Sequence, residues 1–345
     1  MNRELMYQFI YGLAASNGRE QELFGGCGPA AYEAFARSLV AKGFPELWFE
    51  LPLAGEPWLD LHALISYEDV AGTQPAFAGL GGVYADGLAW FASQKPGKVR
   101  QLALSYDSSR GEVERPALQL LVNGPDASVP EAFLRAAGRA DAVADYHAFV
   151  GRMPQEWYAC YVGVFPSRDV AGSSPWTRVE CIVRDELQQA YARDVERLRA
   201  DLAKVGLASG GAEGPDNPLD DEALACIQEL ARSPFPLEFQ FNVGSDGLAQ
   251  PCLSASVRFQ GPDWTDVGQR AEAERLYALA QDWGLADDRW RLLRDTAFAK
   301  SATRNGVVTR LVCFPAFIKL RWRAGERPDA KAYLMAWAEG QLGDE

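Results

Sequence analysis

The stretch Leu237-Glu-Phe-Gln-Phe-Asn-Val243, the turn Gly244-Ser-Asp-Gly247 and the stretch Leu253-Ser-Ala-Ser-Val-Arg-Phe-Gln260 read together as a β-hairpin. Side chains alternate across a strand, so each run sorts into two faces. Leu237, Phe239, Phe241 and Val243 share one face, and Glu238, Gln240 and Asn242 share the other. In the second run Leu253, Ala255, Val257 and Phe259 oppose Ser254, Ser256, Arg258 and Gln260. One face can pack against other elements, while the other carries hydrogen-bonding and charged groups that need water, partners or a ligand.

Working outward from this hairpin, the same unit recurs along the chain. Leu47–Leu53 with Trp58–Tyr67, Val99–Tyr106 with Pro116–Asn123, and Trp157–Phe165 with Trp176–Arg184 have the same pattern. A fifth pair is expected at Val307–Phe314 and Phe317–Arg323. Between the pairs lie helical patterns at Pro75–Ser93, Pro130–Met153, Asp185–Val205, Asp220–Arg232, Val267–Trp283 and Asp287–Lys300. Helices are also expected at Arg3–Ala15, Ala30–Lys42 and, closing the chain, Asp329–Gln341. About five repeats of helix and hairpin, each roughly 55–80 residues, are too long and irregular for a solenoid. They predict an α+β protein with ten strands in a single domain spanning residues 1–345.

Several function classes drop out on composition. The net charge of −13 disfavours non-specific binding to nucleic acid or an anionic membrane. The N-terminal segment carries charges where a signal peptide has an apolar core, and no apolar run is long enough to cross a bilayer, so a cytoplasmic location is expected. Cys27, Cys160, Cys181, Cys226, Cys252 and Cys313 form no Cys-x-x-Cys pair and read as buried free thiols of a reducing compartment. His62 and His147 are too few for a His-rich metal site, and no phosphate-binding loop or serine-hydrolase motif is present. Asp220-Asp221-Glu222 and Asp287-Asp288 sit where helices start, which explains them as caps.

The polar strand faces have two possible fates. In an open sheet covered on one side they meet bulk water. In a closed barrel wrapped by helices they line a wet lumen, and ten strands enclose more space than the eight-stranded barrels that side chains fill. Every hairpin is followed by enough helix to cover its outer face, which favours the barrel and removes exposed edges. The polar faces contribute the basic residues Arg178, Arg258, Lys319 and Arg321, which in the barrel reading line the lumen. Two ordinary alternatives stand beside that reading: Arg258 as a cross-strand partner of Glu238, and Lys319, Arg321 and Arg323 as the solvated stripe of an edge strand.

A helix-wrapped, ten-stranded antiparallel barrel of repeated αββα units resembles the aromatic prenyltransferases of the ABBA, or PT-barrel, superfamily. Segments such as Leu237-Glu-Phe-Gln-Phe and Ile318-Lys-Leu-Arg-Trp-Arg323 look most similar to its bacterial indole and tryptophan dimethylallyltransferase branch. The resemblance implies a cytoplasmic enzyme of secondary metabolism that moves a dimethylallyl or similar prenyl group from its diphosphate to an aromatic small molecule or peptide side chain. It implies no cofactor, no need of Mg²⁺ for binding, and no nucleic-acid or membrane partner. It makes Glu50 and Glu238 the candidates to orient the acceptor and take its proton. Arg178, Arg258, Lys319, Arg321, Gln240, Ser256, Tyr161 and His62 become candidate substrate-binding residues. The family pairs a basic residue with a tyrosine two positions on. Here Ser256-Val-Arg258 and Lys319-Leu-Arg321 stand at such places, and Tyr161, with Trp157 expected on its face, is the evident inward tyrosine. A ligand-binding barrel without chemistry, or an open α+β binding protein, is the competing class.

Overall fold

Alternation turns the expected hairpins into antiparallel pairs, and the pairs join edge to edge. The computed structural model describes residues 46–65, 70, 81–94, 99–107, 112–122, 126–166, 177–207, 219–259, 267–296, 298–304 and 307–339. The helices expected at Arg3–Ala15 and Ala30–Lys42, and Cys27, lie outside these residues.

The strands are β1 (Glu46–Pro52), β2 (Asp60–Ile65), β3 (Val99–Asp107), β4 (Glu112–Val122), β5 (Trp157–Val164), β6 (Thr177–Val183), β7 (Leu237–Val243), β8 (Ala249–Arg258), β9 (Phe298–Arg304), β10 (Val307–Arg323) and β11 (Asp329–Glu339). They are ordered β11-β1-β2-β3-β4-β5-β6-β7-β8-β10-β9, and β11 also pairs with β10. That extra pairing closes ten strands into a barrel and leaves β9 as an appendage on the first half of β10. The seam is in register, with Glu50 opposite Tyr333 and Phe317 opposite Tyr333.

Eight described helices lie around the barrel: α1 (Gly82–Ser93), α2 (Ser128–Ala136), α3 (Val143–Arg152), α4 (Asp185–Arg193), α5 (Val195–Lys204), α6 (Asp221–Ala231), α7 (Val267–Asp282) and α8 (Trp290–Thr296). The apolar row of every barrel strand faces them. Phe239 and Phe241 of β7 pack with Trp157 of β5 and with Phe149 of α3, at ring separations of 5.1 to 5.7 Å. The Trp157 indole N–H donates to the Tyr191 hydroxyl of α4 (3.0 Å), which donates to the buried Asp201 of α5 (2.9 Å). Gly247 in the β7–β8 turn has φ +65°, and a Cβ there would stand 2.6 Å from that of Ala148, so both backbone and space require glycine.

Six expectations are corrected. Val307–Phe314 and Phe317–Arg323 are not a hairpin but one strand, β10, whose irregularity between Pro315 and Phe317 absorbs the break in alternation. Its partner is β11, formed by the segment read as a closing helix. Asp185–Val205 is two helices, because the Asp194 carboxylate accepts from the Glu196 and Arg197 amides (3.0 and 3.1 Å) and starts α5 afresh. Asp287–Lys300 yields to strand at Phe298, and Pro130–Met153 is likewise broken between α2 and α3. Finally, Trp157 and Tyr161 lie on opposite faces. A shift between Ala159 and Tyr161 inserts Cys160, sending Trp157 outward and Tyr161 inward.

Neighbouring residues of β7 test this facing. Phe241→Ala should cost about 3–5 kcal/mol, whereas Asn242→Ala should cost under about 1 kcal/mol. Urea midpoints of the two variants measure the difference, and equal losses would place the face boundary elsewhere.

Candidate active site

The inward row forms a lumen open at the end where the hairpin turns lie. The mouth holds a cavity of about 460 Å³ lined by residues including Trp58, Arg178, Cys252, Lys319, Arg321, Arg323 and Lys331. Beneath it a smaller inner cavity is walled by Trp48, Leu64, Ala103, Tyr161, Glu180 and Phe317. His62, Gln119, Arg178, Gln240, Lys319 and Tyr333 line both, so the two adjoin along a shared wall.

At their junction four inward residues from β1, β10 and β11 meet. The Lys331 ammonium and the Tyr333 hydroxyl both donate to Glu50. Lys319 donates to the Tyr333 hydroxyl (3.0 Å) and pairs with no carboxylate among the described residues. Burial would raise the Glu50 carboxyl, but Lys331, a hydrogen bond from His62 and the charge of Lys319 together hold it well below the usual carboxylate range. Burial pushes the Lys319 ammonium down, opposed by Glu180 and Glu50 and assisted by Arg178 and Lys331. His62 continues the network. Its Nδ1 lies 2.7 Å from Ser105 Oγ, which accepts from Gln119 Nε2 (2.7 Å), and its Nε2 lies 3.5 Å from Glu50. The two ring nitrogens thus face Ser105 on one side and Glu50 on the other.

Other mouth cations are engaged at their own level. Arg321 donates to Asp329 (2.8 Å from Nε) and Arg323 to Glu326 (2.8 Å). The Arg178 guanidinium lies 4.3 Å from the Phe165 ring centroid, with its Nε 3.5 Å from Asn242 Oδ1. An aromatic wall descends from this level: Tyr333 against Phe317 (5.6 Å) and Phe317 against Trp48 (4.8 Å).

The floor is a charge cluster in which Glu180 and Glu238 are buried and Arg258 is partly exposed. Glu238 is fully buried, with Arg258 Nε 2.9 Å from its Oε1 but not aimed along that contact. Arg258 is stacked over Phe317 (4.7 Å) and Trp48 (5.5 Å) and lines neither cavity. Glu180 accepts from Gln240 Nε2 (2.8 Å). Burial raises the Glu238 carboxyl to about 8 despite Arg258, with Glu180 adding to the rise. Glu180 goes the other way: its own burial is outweighed by Lys319, by the hydrogen bond from Glu238 and by Arg258.

All ten candidates from the sequence therefore point into the barrel, but they separate by depth. Glu50, His62, Arg178, Gln240, Lys319 and Arg321 meet around the mouth and its junction. Tyr161 lies at the inner cavity. Glu238, Ser256 and Arg258 are below or behind it, so the structure does not bring Arg258 to the other cations. Sequence reasoning missed Lys331 and Tyr333, which form the basic-x-tyrosine pattern sought elsewhere. The signal was present in the strict alternation of Asp329, Lys331, Tyr333, Met335 and Trp337 with Ala330, Ala332, Leu334 and Ala336. It also missed Trp48, Phe317 and Glu180 as lining residues. Among the described residues five cysteines are free, of which Cys160, Cys181, Cys226 and Cys313 are buried and Cys252 is at the mouth. No cluster of three His, Cys, Asp or Glu side chains is placed to hold a metal among the described residues, and no described helix is long and apolar enough to cross a membrane.

No family model and no curated protein matches the chain. Solved structures do. The 6-dimethylallyltryptophan synthase of Micromonospora olivasterospora, in complex with DMASPP and Trp, superposes with a TM-score of 0.55 at 14% identity, covering 97% of each chain. The 5-dimethylallyltryptophan synthase of Streptomyces coelicolor gives 0.52 at 11%, covering 95% of this chain and 94% of that one. PriB, in a binary complex with product diphosphate, gives 0.57 at 12%, covering 97% and 95%. The fold is the PT barrel. At these identities the likeness concerns the barrel and its helices, and the side chains of this lumen have to be read on their own.

The floor cluster makes stability pH-dependent. Glu238 ionises near 4.5 in the unfolded chain and near 8 in the fold. Between those values the folded state holds the extra proton, so stability falls as pH rises through that window and levels off above it. Glu238→Gln removes the proton and should flatten this dependence. Melting temperatures of wild type and variant between about pH 6 and 9 check it; parallel curves would mean that Glu238 is ionised throughout.

Proposed function

We propose that this protein is an aromatic prenyltransferase, transferring a dimethylallyl or similar prenyl group from its diphosphate to an aromatic acceptor. The observation that carries the reading is the stacking of two unlike compartments in one lumen. Cations ring the mouth, an aromatic-walled cavity lies beneath, and Arg178, Lys319 and Tyr333 belong to both. Solved structures of the same fold hold DMASPP with Trp, or product diphosphate, which supports assigning both kinds of ligand here.

In this reading Lys319 and Arg178 hold the diphosphate, with Arg321 and Lys331 adding positive potential around it. Fixed cations aimed at the leaving group stabilise the charge that develops as the carbon–oxygen bond breaks. Because these charges come from side chains, diphosphate affinity should not require Mg²⁺. The prenyl chain points inward, where Tyr333, Phe317, Trp48 and Tyr161 present ring faces and edges that suit an allylic cation. Keeping water out lets that cation meet the arene before it is hydrolysed. Glu50 fixes Tyr333 and Lys331 in position, so its part is to build the junction; Gln240 and His62 line the path between compartments. Acceptors with a free aromatic ring, including a tryptophan side chain, fit the inner wall. The alternative of a barrel that binds without reacting is favoured by one observation, the carboxylate partners already held by Arg321, Arg323 and Lys331.

Calorimetry with dimethylallyl thiolodiphosphate in EDTA tests the assignment. Lys319→Gln should weaken binding about 10–150-fold through loss of charge-assisted hydrogen bonds worth roughly 1.5–3 kcal/mol. Arg258→Gln should lower the melting temperature and leave this affinity alone. Binding in wild type without transfer to any of a panel of indoles, phenols and tryptophan peptides would favour the non-catalytic barrel.

A further inference from the structure

Glu180 and Glu238 lie on the adjacent strands β6 and β7, and their carboxyl groups are within hydrogen-bonding range of each other. Two ionised carboxylates have no hydrogen to share, so that contact requires one of them to keep its proton. Glu238 is the one. It is fully buried, and neither of its oxygens receives a hydrogen bond from any other described residue. Glu180 has the opposite surroundings: Gln240 donates to it at 2.8 Å, and it is the carboxylate that lines the inner cavity among the described residues. Glu50, the other candidate base, belongs to the mouth and has its oxygens occupied by Lys331 and Tyr333.

We propose that Glu180 takes the proton lost by the acceptor ring, and that Glu238, itself protonated, holds Glu180 in place through an acid–carboxylate hydrogen bond. The assignment rests on the prenyl-transfer reading. In the first step a ring π pair forms the new bond to the prenyl carbon, while the carbon–oxygen pair leaves with the diphosphate. In the second, the ring C–H pair returns to the ring and the proton passes to Glu180, from which it leaves to water once product departs. A carboxylate with a depressed proton affinity is sufficient, because an arenium ion is a far stronger acid than any carboxylic acid. Before that step the negative charge of Glu180, beside the ring, offsets the positive charge gathering on it. The same oxygen would accept from a ring N–H or O–H, so the favoured acceptors are arenes carrying such a donor. Glu180 is thus a catalytic residue and Glu238 a positioning one.

The titratable and charged groups around the pair are Tyr158, Cys160 and Tyr161 from β5, Cys181 from β6, Arg258 from β8, Lys319 from β10 and Tyr333 from β11. The proton sharing is read by infrared difference spectra between about pH 6 and 10, where the carbonyl band of a protonated carboxyl should vanish with rising pH in wild type. That titrating band should be absent from Glu238→Gln; its persistence there overturns the sharing. Single-turnover prenyl transfer reads the chemistry. Glu180→Gln should slow it by about 10²-fold or more while thiolodiphosphate affinity is unchanged. Glu180→Asp should restore part of the rate. Glu238→Gln, whose amide can still donate to Glu180, should keep most of it, and the double variant should be no slower than Glu180→Gln alone. A Glu180→Gln variant that binds thiolodiphosphate and transfers at the wild-type rate overturns the catalytic role. If wild type transfers to no acceptor, the catalytic role falls with the prenyltransferase reading, while the infrared result still decides the sharing.

Discussion

Closing ten strands into a ring commits every second strand side chain to an interior too wide for those side chains to fill. That geometric constraint shapes the rest of the molecule. The outward row can be apolar because helices cover it, and Phe239, Phe241, Val257 and Ile318 are all fully buried there. The inward row carries polar groups that the same closure removes from bulk water, so each must find a partner. The result is a chain of polar contacts from Gln119 through Ser105, His62, Glu50 and Tyr333 to Lys319, spanning six strands and the closing seam.

The network is graded along the barrel axis. At the mouth, Arg321 and Arg323 and their carboxylate partners remain near water, where their interactions are screened and individually modest. At the floor, Glu180, Glu238 and Arg258 share a space between Trp48, Phe317 and Tyr161, and fewer screening charges make each placement consequential. Here the fold tolerates a carboxyl kept neutral beside an ionised one, a difference imposed by desolvation and by which of the two meets Gln240 and Lys319.

Much of the fold was legible because period-two alternation is a local signal. The β7–β8 hairpin and the inward phase of Arg178, Lys319 and Arg321 followed from it directly. The failures have local physical causes too. In Asp329–Glu339 one face consists of Ala and Leu, with Met335 on the other, all strong helix formers, and only pairing with β1 and β10 makes the segment a strand. In β5 one inserted residue, Cys160, reversed the facing of Trp157 relative to Tyr161, and nothing in the neighbouring residue types announces a bulge. The depth of a side chain within the lumen was not legible at all. It depends on strand stagger, and stagger is what parts Arg258 from Lys319 and joins Glu180 to Glu238.

The central claim is that the mouth of this lumen holds a diphosphate directly above the aromatic wall. A crystal structure of the protein with dimethylallyl thiolodiphosphate tests it most directly. The account predicts phosphate oxygens within hydrogen-bonding distance of Lys319 Nζ and the Arg178 guanidinium, with the prenyl carbons against Tyr333 and Phe317. Phosphate density elsewhere on the surface, or a prenyl chain directed out of the mouth, would contradict it.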